Sequence, residues 1–315
     1  MSLDLQSNFR KFHDAIKFDR EQNRNWLTNK RDMLVQELQT YLRDNRLPSV
    51  KAYNQGSYAM GTGVKPIGDR DFDIDVALVF DLDVRDYQPK QVKKWVQEAM
   101  SRYSNRDVIM KRPCVRVQYH RNGSEHYHVD LAVYGKKDIN KDKEDLQLAK
   151  GFLNSREQYK IWEDSEPFEL KNLINNKFDN EDYKAQFKRI ICYLKRWKDE
   201  NFKASGDEAP TGIALTAMAY KWYRPHSKGG KLDDLCTLRC FFEYCCRNDH
   251  GLYVTLPVKP YNNLLEKIIN SSRLTNSYKT KVEKLYYELE KANAADDESQ
   301  AIQILQAQFG PDFPA

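Results

Sequence analysis

The chain lacks the marks of several large function classes. No apolar run reaches the roughly 20 residues that a membrane-spanning helix requires. The opening Met1-Ser2-Leu3-Asp4 does not read as a signal peptide. No Gly-x4-Gly-Lys-Ser/Thr loop occurs, since Gly229-Gly230-Lys231 runs into Leu232, and there is no Gly-x-Ser-x-Gly elbow. P-loop and α/β-hydrolase chemistry therefore find little support. Charge of one sign is scarce too: 51 basic and 46 acidic residues leave a net charge of +5, a mild excess that does not argue for long nucleic acid. Six cysteines without a secretory signal point to a reduced, cytoplasmic setting rather than a disulfide framework. Internal repeats and long low-complexity linkers are absent. At 315 residues the chain can bury one large core or two modest ones.

What is present concentrates between residues 55 and 80. Gln55-Gly56-Ser57-Tyr58-Ala59-Met60-Gly61-Thr62 is a small-residue turn, Asp69-Arg70-Asp71-Phe72-Asp73-Ile74-Asp75 is acid-rich, and Val76-Ala77-Leu78-Val79-Phe80 is an apolar run. Side chains alternate along a strand, so Asp73 and Asp75 face the same way, about 6.6 Å apart along the chain. Asp130 lies in a second strand, Tyr127-His128-Val129-Asp130-Leu131-Ala132-Val133-Tyr134. Three carboxylates on one face can bracket two hard cations roughly 3.5–4 Å apart. Gly56 permits close backbone approach to a phosphate, Ser57 adds a hydroxyl donor, and a helix starting there would add unpaired amides. This combination suits phosphoryl transfer, which asks mainly for positioning and charge neutralisation. Asp71 and Asp73 form an alternative pair. Asp73 and Asp75 are preferred because the apolar strand begins directly after Asp75, which leaves Asp69 and Asp71 as loop residues. An EF-hand starting at Asp69 fails, with Ile74 at its sixth position and Phe80 at its twelfth.

These residues resemble the polymerase-beta-like nucleotidyltransferase superfamily, and within it the cyclic GMP-AMP synthase and bacterial CD-NTase family. The resemblance rests on Gly56-Ser57, Asp73-Ile74-Asp75 and Asp130. It continues through Arg189-Ile190-Ile191-Cys192-Tyr193-Leu194-Lys195-Arg196-Trp197, which looks like the family's helix with a phosphate-binding lysine. Pro210-Thr211-Gly212-Ile213 looks like the start of its next helix, with Thr211 where many members carry Ser. Leu256-Pro257-Val258-Lys259-Pro260-Tyr261-Asn262-Asn263 resembles a Pro-Asn segment of bacterial members.

The resemblance implies an α+β fold: a polymerase-beta-like core sheet with an N-terminal spine helix, at residues 1–165, and a C-terminal helical lobe, at 166–315. It implies a cyclic oligonucleotide synthase that binds nucleoside triphosphates in the cleft between them. ATP would be used, with GTP or pyrimidine triphosphates as further substrates. Asp73, Asp75 and Asp130 would be catalytic and would hold two Mg2+ ions, with Mn2+ as a substitute. Gln55, Gly56, Ser57, Lys195 and Thr211 would bind the donor; Arg196 should matter much less than Lys195 if it lies on the solvent face. It further implies a cytoplasmic monomer in anti-phage (CBASS) defence, independent of membrane and nucleic acid, whose product acts on a separate effector protein. An end-adding RNA nucleotidyltransferase, of tRNA nucleotidyltransferase or poly(A)-polymerase type, is the alternative enzyme. A nucleotide-sensing module without catalysis is the alternative outside enzymes.

Periodicity predicts helix over 4–44, where Phe9, Phe12, Ile16, Leu27, Leu34, Leu38 and Tyr41 recur near helical spacing. Strands are expected at 73–81, 113–120 and 126–134, with a helix at 88–103. Asn122-Gly123 signals a hairpin that sets Arg116 and Gln118 beside Asp130. Helices are expected at 169–176, 183–201, 211–223, 233–246, 260–272 and 275–293.

His126, His128 and Asp130 form part of a metallo-hydrolase signature, but its final histidine is replaced by Leu131. His126 and His128 are expected at the wet outer end of the strand, with His128 near the acceptor pocket as the alternative. Cys236, Cys240, Cys245, Cys246 and His250 cluster within fifteen residues. Cyclic GMP-AMP synthase has a zinc insertion of one His and three Cys. Here the cysteines lie among Leu235, Leu238, Phe241 and Phe242, so a buried helical stripe without zinc is expected.

Overall fold

The computed structural model describes all residues except 1–2, 19–23, 69–71, 120–126, 142, 153, 157, 159 and 204–207. Asp69, Asp71, His120, His126 and the Asn122-Gly123 turn lie outside the described residues, as does the side chain of Leu27. The elements in chain order are α1 (Gln6–Ile16), α2 (Arg24–Asp44), β1 (Val50–Asn54), α3 (Gly56–Met60), β2 (Phe72–Asp83) and α4 (Pro89–Met100). They continue with β3 (Arg106–Met110), β4 (Val115–Tyr119), β5 (Tyr127–Lys136), β6 (Leu146–Lys150) and β7 (Ile161–Asp164). The rest is helical apart from a small hairpin: α5 (Pro167–Asn175), α6 (Glu181–Asn201), α7 (Gly212–Trp222), β8 (Ser227–Lys228), β9 (Lys231–Leu232), α8 (Asp234–Arg247), α9 (Glu266–Ile269), α10 (Ser272–Asn293) and α11 (Glu298–Phe309).

Among the described residues the main sheet runs β1-β2-β5-β4-β3, with β6 on the far end of β5 and β7 on β6. The β2–β5 pair is parallel and its other neighbours are antiparallel. Strand alternation decides what each face does. Ile74, Val76, Leu78 and Phe80 of β2 share a core with Val129, Leu131 and Val133 of β5. Leu34 and Leu38 of α2 and Val92 and Val96 of α4 cover that face. The opposite face carries Asp73, Asp75, Asp130 and His128, followed by a small cluster of Ala77, Val79, Ala132 and Tyr134.

A second core fills the helical part. Phe187, Ile190, Ile191 and Leu194 of α6 pack with α7, α8, α10 and α11. Several of these helices start on side-chain caps: Asn180, Thr211, Asp233, Ser271 and Asp297 each accept from a backbone N–H in the first turn. No helix among the described residues is long and apolar enough to cross a membrane.

Two expected elements differ. The helix anticipated over 4–44 is two helices, because Lys17 turns extended and bridges Val64, and Lys65 donates its N–H to the Ile16 carbonyl at 2.8 Å. Consequently α1 does not lie behind the sheet. Its Phe9, Phe12 and Ile16 are fully buried in the helical core, where Phe309 and Phe313 from the other end of the chain pack onto them. The helix anticipated at 260–272 shrinks to α9. Thr255 bridges Asn263, the Leu256 N–H reaches the Asn262 carbonyl at 3.0 Å, and Tyr261 adopts φ 56°. A looped-back segment of this kind has no helical period to read.

One buried network ties α1, α6 and α8 together. Asp234, fully buried, accepts from Arg189 Nε at 2.8 Å and Nη2 at 2.9 Å and from Gln186 Nε2 at 3.0 Å. Its own N–H donates to Gln6 Oε1 at 2.8 Å. Removing one partner of such a pair leaves a buried charge uncompensated. Asp234→Ala is expected to destabilise the protein by about 3–5 kcal/mol in denaturant unfolding. Lys291→Ala, which breaks the exposed Lys291–Glu288 pair, should change stability by less than about 1 kcal/mol. Equal effects from the two would refute the account.

Candidate active site

Register brings the acidic residues together. Across β2–β5, Asp73 pairs with His128 and Asp75 with Asp130, and across β4–β5, Arg116 pairs with Asp130 and Gln118 with His128. Directly paired residues share a face. The three strand carboxylates anticipated from spacing therefore stand side by side, with Arg116 and Gln118 adjacent as the hairpin signal implied. Asp73, His128 and Asp130 hold ligand atoms within 4.8 Å of one another.

Two cations answer the outer carboxylates. Arg116 clamps Asp130 with Nε and Nη2, each at 2.8 Å from a different carboxylate oxygen, and reaches Asp73 at 3.6 Å. His128 Nε2 contacts Asp73 Oδ1. Partial desolvation pulls the Asp73 carboxyl up, but the His128 contact and the charges of His128, Arg116 and Lys198 hold it below the usual value. Desolvation likewise opposes charge on His128, and Asp73 outweighs it, so the imidazole is raised. Asp75 has no such partner among the described residues. Burial, with repulsion from Asp73 and Asp130, lifts its carboxyl to about 7.

Gly56 is fixed by this crowding. Its φ is +65°, and a Cβ there would stand 1.9 Å from Asp75 Oδ2. The Gln55 N–H donates to the Asp75 carbonyl at 3.1 Å, and the Tyr134 hydroxyl to Gln55 Oε1 at 3.1 Å, so the turn is tied to both β2 and β5. The helix α3 opens at Gly56 as anticipated, but it is only five residues long.

A cleft of about 880 Å3 lies in front of the carboxylates, at the upper end of the range for small-molecule sites. Gln55, Ser57, Asp73, Asp75, Lys195 and Thr211 line it, and Leu256, Val258 and Lys259 of the Pro-Asn segment border it. Asp130 sits beside it, turned to Arg116. Lys195 points inward from α6 and is buried. Its Nζ donates to the Thr62 carbonyl at 2.7 Å and lies 3.3 Å from the Thr62 hydroxyl. Burial lowers its pKa to about 8, so it remains largely charged near neutrality. The Thr211 oxygen accepts from the Ala214 N–H at 3.2 Å as a helix cap, which leaves its O–H free to donate.

Three expectations need correction. Arg196 is not on the solvent face: it is 1% exposed and reaches the Lys65 carbonyl at 3.1 Å and Asp312 at 3.2 Å. The α6 helix is enclosed nearly all round, so neighbouring positions are both buried. His128 is not at a wet strand end; it is 6% exposed, under Asp73. The cysteines of α8 are not one buried stripe. Cys245 is fully buried, whereas Cys236, Cys240 and Cys246 are partly exposed, and His250 instead contacts Glu283 at 2.7 Å. Sequence reasoning gave no role to Arg116, Tyr134 or Thr62. Arg116 was within reach, since strand alternation already placed it opposite Asp130; Thr62 meets Lys195 only through tertiary packing.

A hard divalent cation fits this donor set. Carboxylate oxygens dominate it, and burial together with repulsion from Asp73 and Asp130 keeps Asp75 partly protonated near neutral pH. The same shift carries a sign for stability. A carboxyl at about 7 in the folded protein and near 4 when unfolded makes the folded state bind the extra proton between those values. Its stabilising contribution is full below about pH 4 and lost as pH rises through about 7. Metal-free Asp75→Asn should therefore gain melting temperature relative to the parent at pH 8 and lose that advantage toward pH 4. A gain that is independent of pH would refute the Asp75 assignment.

Residues 50–134 match the sequence family described as Cyclic GMP-AMP synthase DncV-like, nucleotidyltransferase domain. A Cyclic GMP-AMP synthase of Escherichia albertii is 24% identical over 241 residues, covering 74% of this chain and 50% of that protein. A c-di-GMP synthase of Roseivirga ehrenbergii is 26% identical over 286 residues, covering 84% of this chain and 73% of that protein. The match thus spans only half the length of the first of these relatives. The crystal structure of the Vibrio cholerae DncV cyclic AMP-GMP synthase superposes with a TM-score of 0.79 at 14% identity, covering 100% of this chain and 98% of that one. Its complex with the linear intermediate 5′-pppA(3′,5′)pG gives 0.78 at 14% identity, covering 98% and 96%. The matching domain, the curated relatives and the chain-long fold agree in likening the protein to the cGAS/DncV-like nucleotidyltransferases, with residues 50–134 as the matched domain.

Proposed function

We propose that the protein condenses nucleoside triphosphates into a cyclic di- or trinucleotide with release of pyrophosphate. The observation that carries the reading is the placement of Asp73, Asp75 and Asp130 on one sheet face beside a cleft that also receives Lys195, Ser57 and Thr211. The cyclic nature of the product is supported by the relatives, which are a cyclic GMP-AMP synthase and a c-di-GMP synthase.

In this reading the cleft separates a nucleotidyltransferase core, 1–165, from a helical lobe, 166–315, and holds donor and acceptor together. Gln55, Gly56 and Ser57 receive the donor phosphates from the sheet side, and Lys195 and Thr211 from the helical side. Asp73, Asp75 and Asp130 would hold two Mg2+ ions, or Mn2+, which when bound neutralise triphosphate charge and acidify the attacking hydroxyl. The acceptor ribose hydroxyl forms a bond to the donor α-phosphorus as the α–β bridging bond breaks. Asp130 orients that hydroxyl, whose proton passes to solvent, and pyrophosphate leaves on the Lys195 side. A second transfer closes the ring. The substrates are ATP together with GTP or a pyrimidine triphosphate. The enzyme acts as a cytoplasmic monomer in anti-phage (CBASS) defence, and its product switches on a separate effector.

Incubation with Mg2+ and pairs of triphosphates, without RNA, should give a phosphatase-resistant product that mass spectrometry identifies as cyclic. A requirement for added RNA would turn the reading toward an end-adding transferase, and no pyrophosphate release toward a nucleotide sensor. Asp73→Asn combined with Asp75→Asn should abolish synthesis in a folded protein. Full activity with an unchanged Mg2+ optimum would remove this pair from the mechanism.

Lys195→Ala and Arg196→Ala should separate binding from packing. A charge-assisted contact to phosphate is worth about 1.5–3 kcal/mol, so Lys195→Ala should raise KM for the triphosphate roughly tenfold or more. Arg196→Ala removes a buried side chain bonded to Lys65 and Asp312, so it should lower melting temperature and leave KM of the folded fraction near the parent value. The larger KM effect in Arg196→Ala would overturn the role given to Lys195.

A further inference from the structure

A second group of metal donors lies outside the cleft. The β8–β9 hairpin turns tightly through Gly229 and Gly230, at φ 56° and 78°, and pairs Ser227 with Leu232. Its base is closed by the Asp233 N–H donating to the His226 carbonyl at 3.0 Å. The His226 N–H donates to Thr237 Oγ1 at 3.3 Å, which pins the hairpin to the first turns of α8. On that helix Cys236 and Cys240 are four residues apart and so share a face. A ring nitrogen of His226 and the two sulfurs lie within 4.8 Å of one another, and all three residues are partly exposed. Arg239 also faces the pair, with Nη2 at 3.7 Å from Cys240 Sγ, and is anchored on Glu290 at 2.7 Å.

These donors differ in kind from the oxygen set of the cleft. Two thiolates and an imidazole select a thiophilic cation and match the Cys/His chemistry of tetrahedral zinc. Zn–S bonds near 2.3 Å and Zn–N bonds near 2.0–2.1 Å put donors roughly 3.3–3.8 Å apart, so closure asks about an ångström of side-chain movement.

We propose that His226, Cys236 and Cys240 bind one Zn2+ ion, with the fourth tetrahedral position open to water. Two thiol protons leave to solvent on binding, and two thiolates balance the charge of the ion. The ion fastens the 226–232 hairpin to the start of α8, one residue from the Asp234 network that positions α6. The expectation against zinc grouped these cysteines with His250, whereas the fold supplies His226.

The test uses the whole chain, stripped of metal and then titrated with Zn2+ against a chromophoric chelator, with Co2+ as the spectroscopic probe. The expected result is one tightly held ion per chain, a thiolate-to-cobalt charge-transfer band, and zinc protection of Cys236 and Cys240 from alkylation. Cys236→Ser/Cys240→Ser should lose the band and the tight ion, and Cys246→Ser should keep both. The cleft carboxylates cannot produce a thiolate band, so cleft binding is distinguishable. Absence of the band in the parent protein, or its persistence in the double variant, would overturn the proposal. Should the double variant fail to fold, the cobalt band and the alkylation map of the parent protein decide.

Discussion

Three carboxylates forced onto one face of a parallel strand pair are the constraint from which the rest of this structure follows. Burial, with repulsion from Asp73 and Asp130 added to it, raises the Asp75 carboxyl to about 7. The protein answers from within: Arg116 on Asp130, His128 on Asp73, and more remotely Lys195 toward Asp75. Gly56 belongs to the same constraint, because only a residue without a Cβ lets the 55–57 turn lie against Asp75. A site loaded in this way is less stable without its cations than a neutral one would be, which is the usual relation between function and stability at a charged centre.

The scaffold can bear that load because the register of β2 and β5 has little freedom. A slip of one residue would carry Asp73 and Asp75 into the core face and expel Ile74 and Val76. Burial of several aliphatic side chains, each worth about 1.5–3 kcal/mol, opposes such a slip far more strongly than the carboxylates favour it. The helical side is held differently. Its position rests on the buried Asp234–Arg189 pair and on α1, which is clasped between α6 and the Phe309–Phe313 segment.

The sheet face and most helices could be read from the chain because period and capping are local properties. Strand alternation placed Asp73, Asp75 and Asp130 together, and Asn180, Thr211 and Asp233 mark helix starts within a few residues. What could not be read depends on packing between distant segments. The break after Ile16 is imposed by pairing with Val64 and Lys65, some fifty residues away. A charged side chain usually means solvent, yet α6 is central enough that every residue from Arg189 to Trp197 is buried. His226 joins Cys236 and Cys240 only because the Ser227–Leu232 hairpin folds the chain back on itself.

Lys195 shows how structural and chemical demands meet in one side chain. Its ammonium is buried, and burial alone would favour the neutral amine. Cys192, Asp75 and Asp199 nearby oppose that burial and leave the group at about 8, mostly charged near neutral pH, while its Nζ donates to the Thr62 carbonyl. Thr62 brings dipoles rather than a full negative charge. An incoming phosphate would therefore find an ammonium that has already lost its hydration and that hydrogen-bonds to Thr62, with Asp75 and Asp199 acting on it only from a distance. On the proposed reading, the desolvation of Lys195 is met during folding, and the attraction to the donor triphosphate is realised in full when the nucleotide binds.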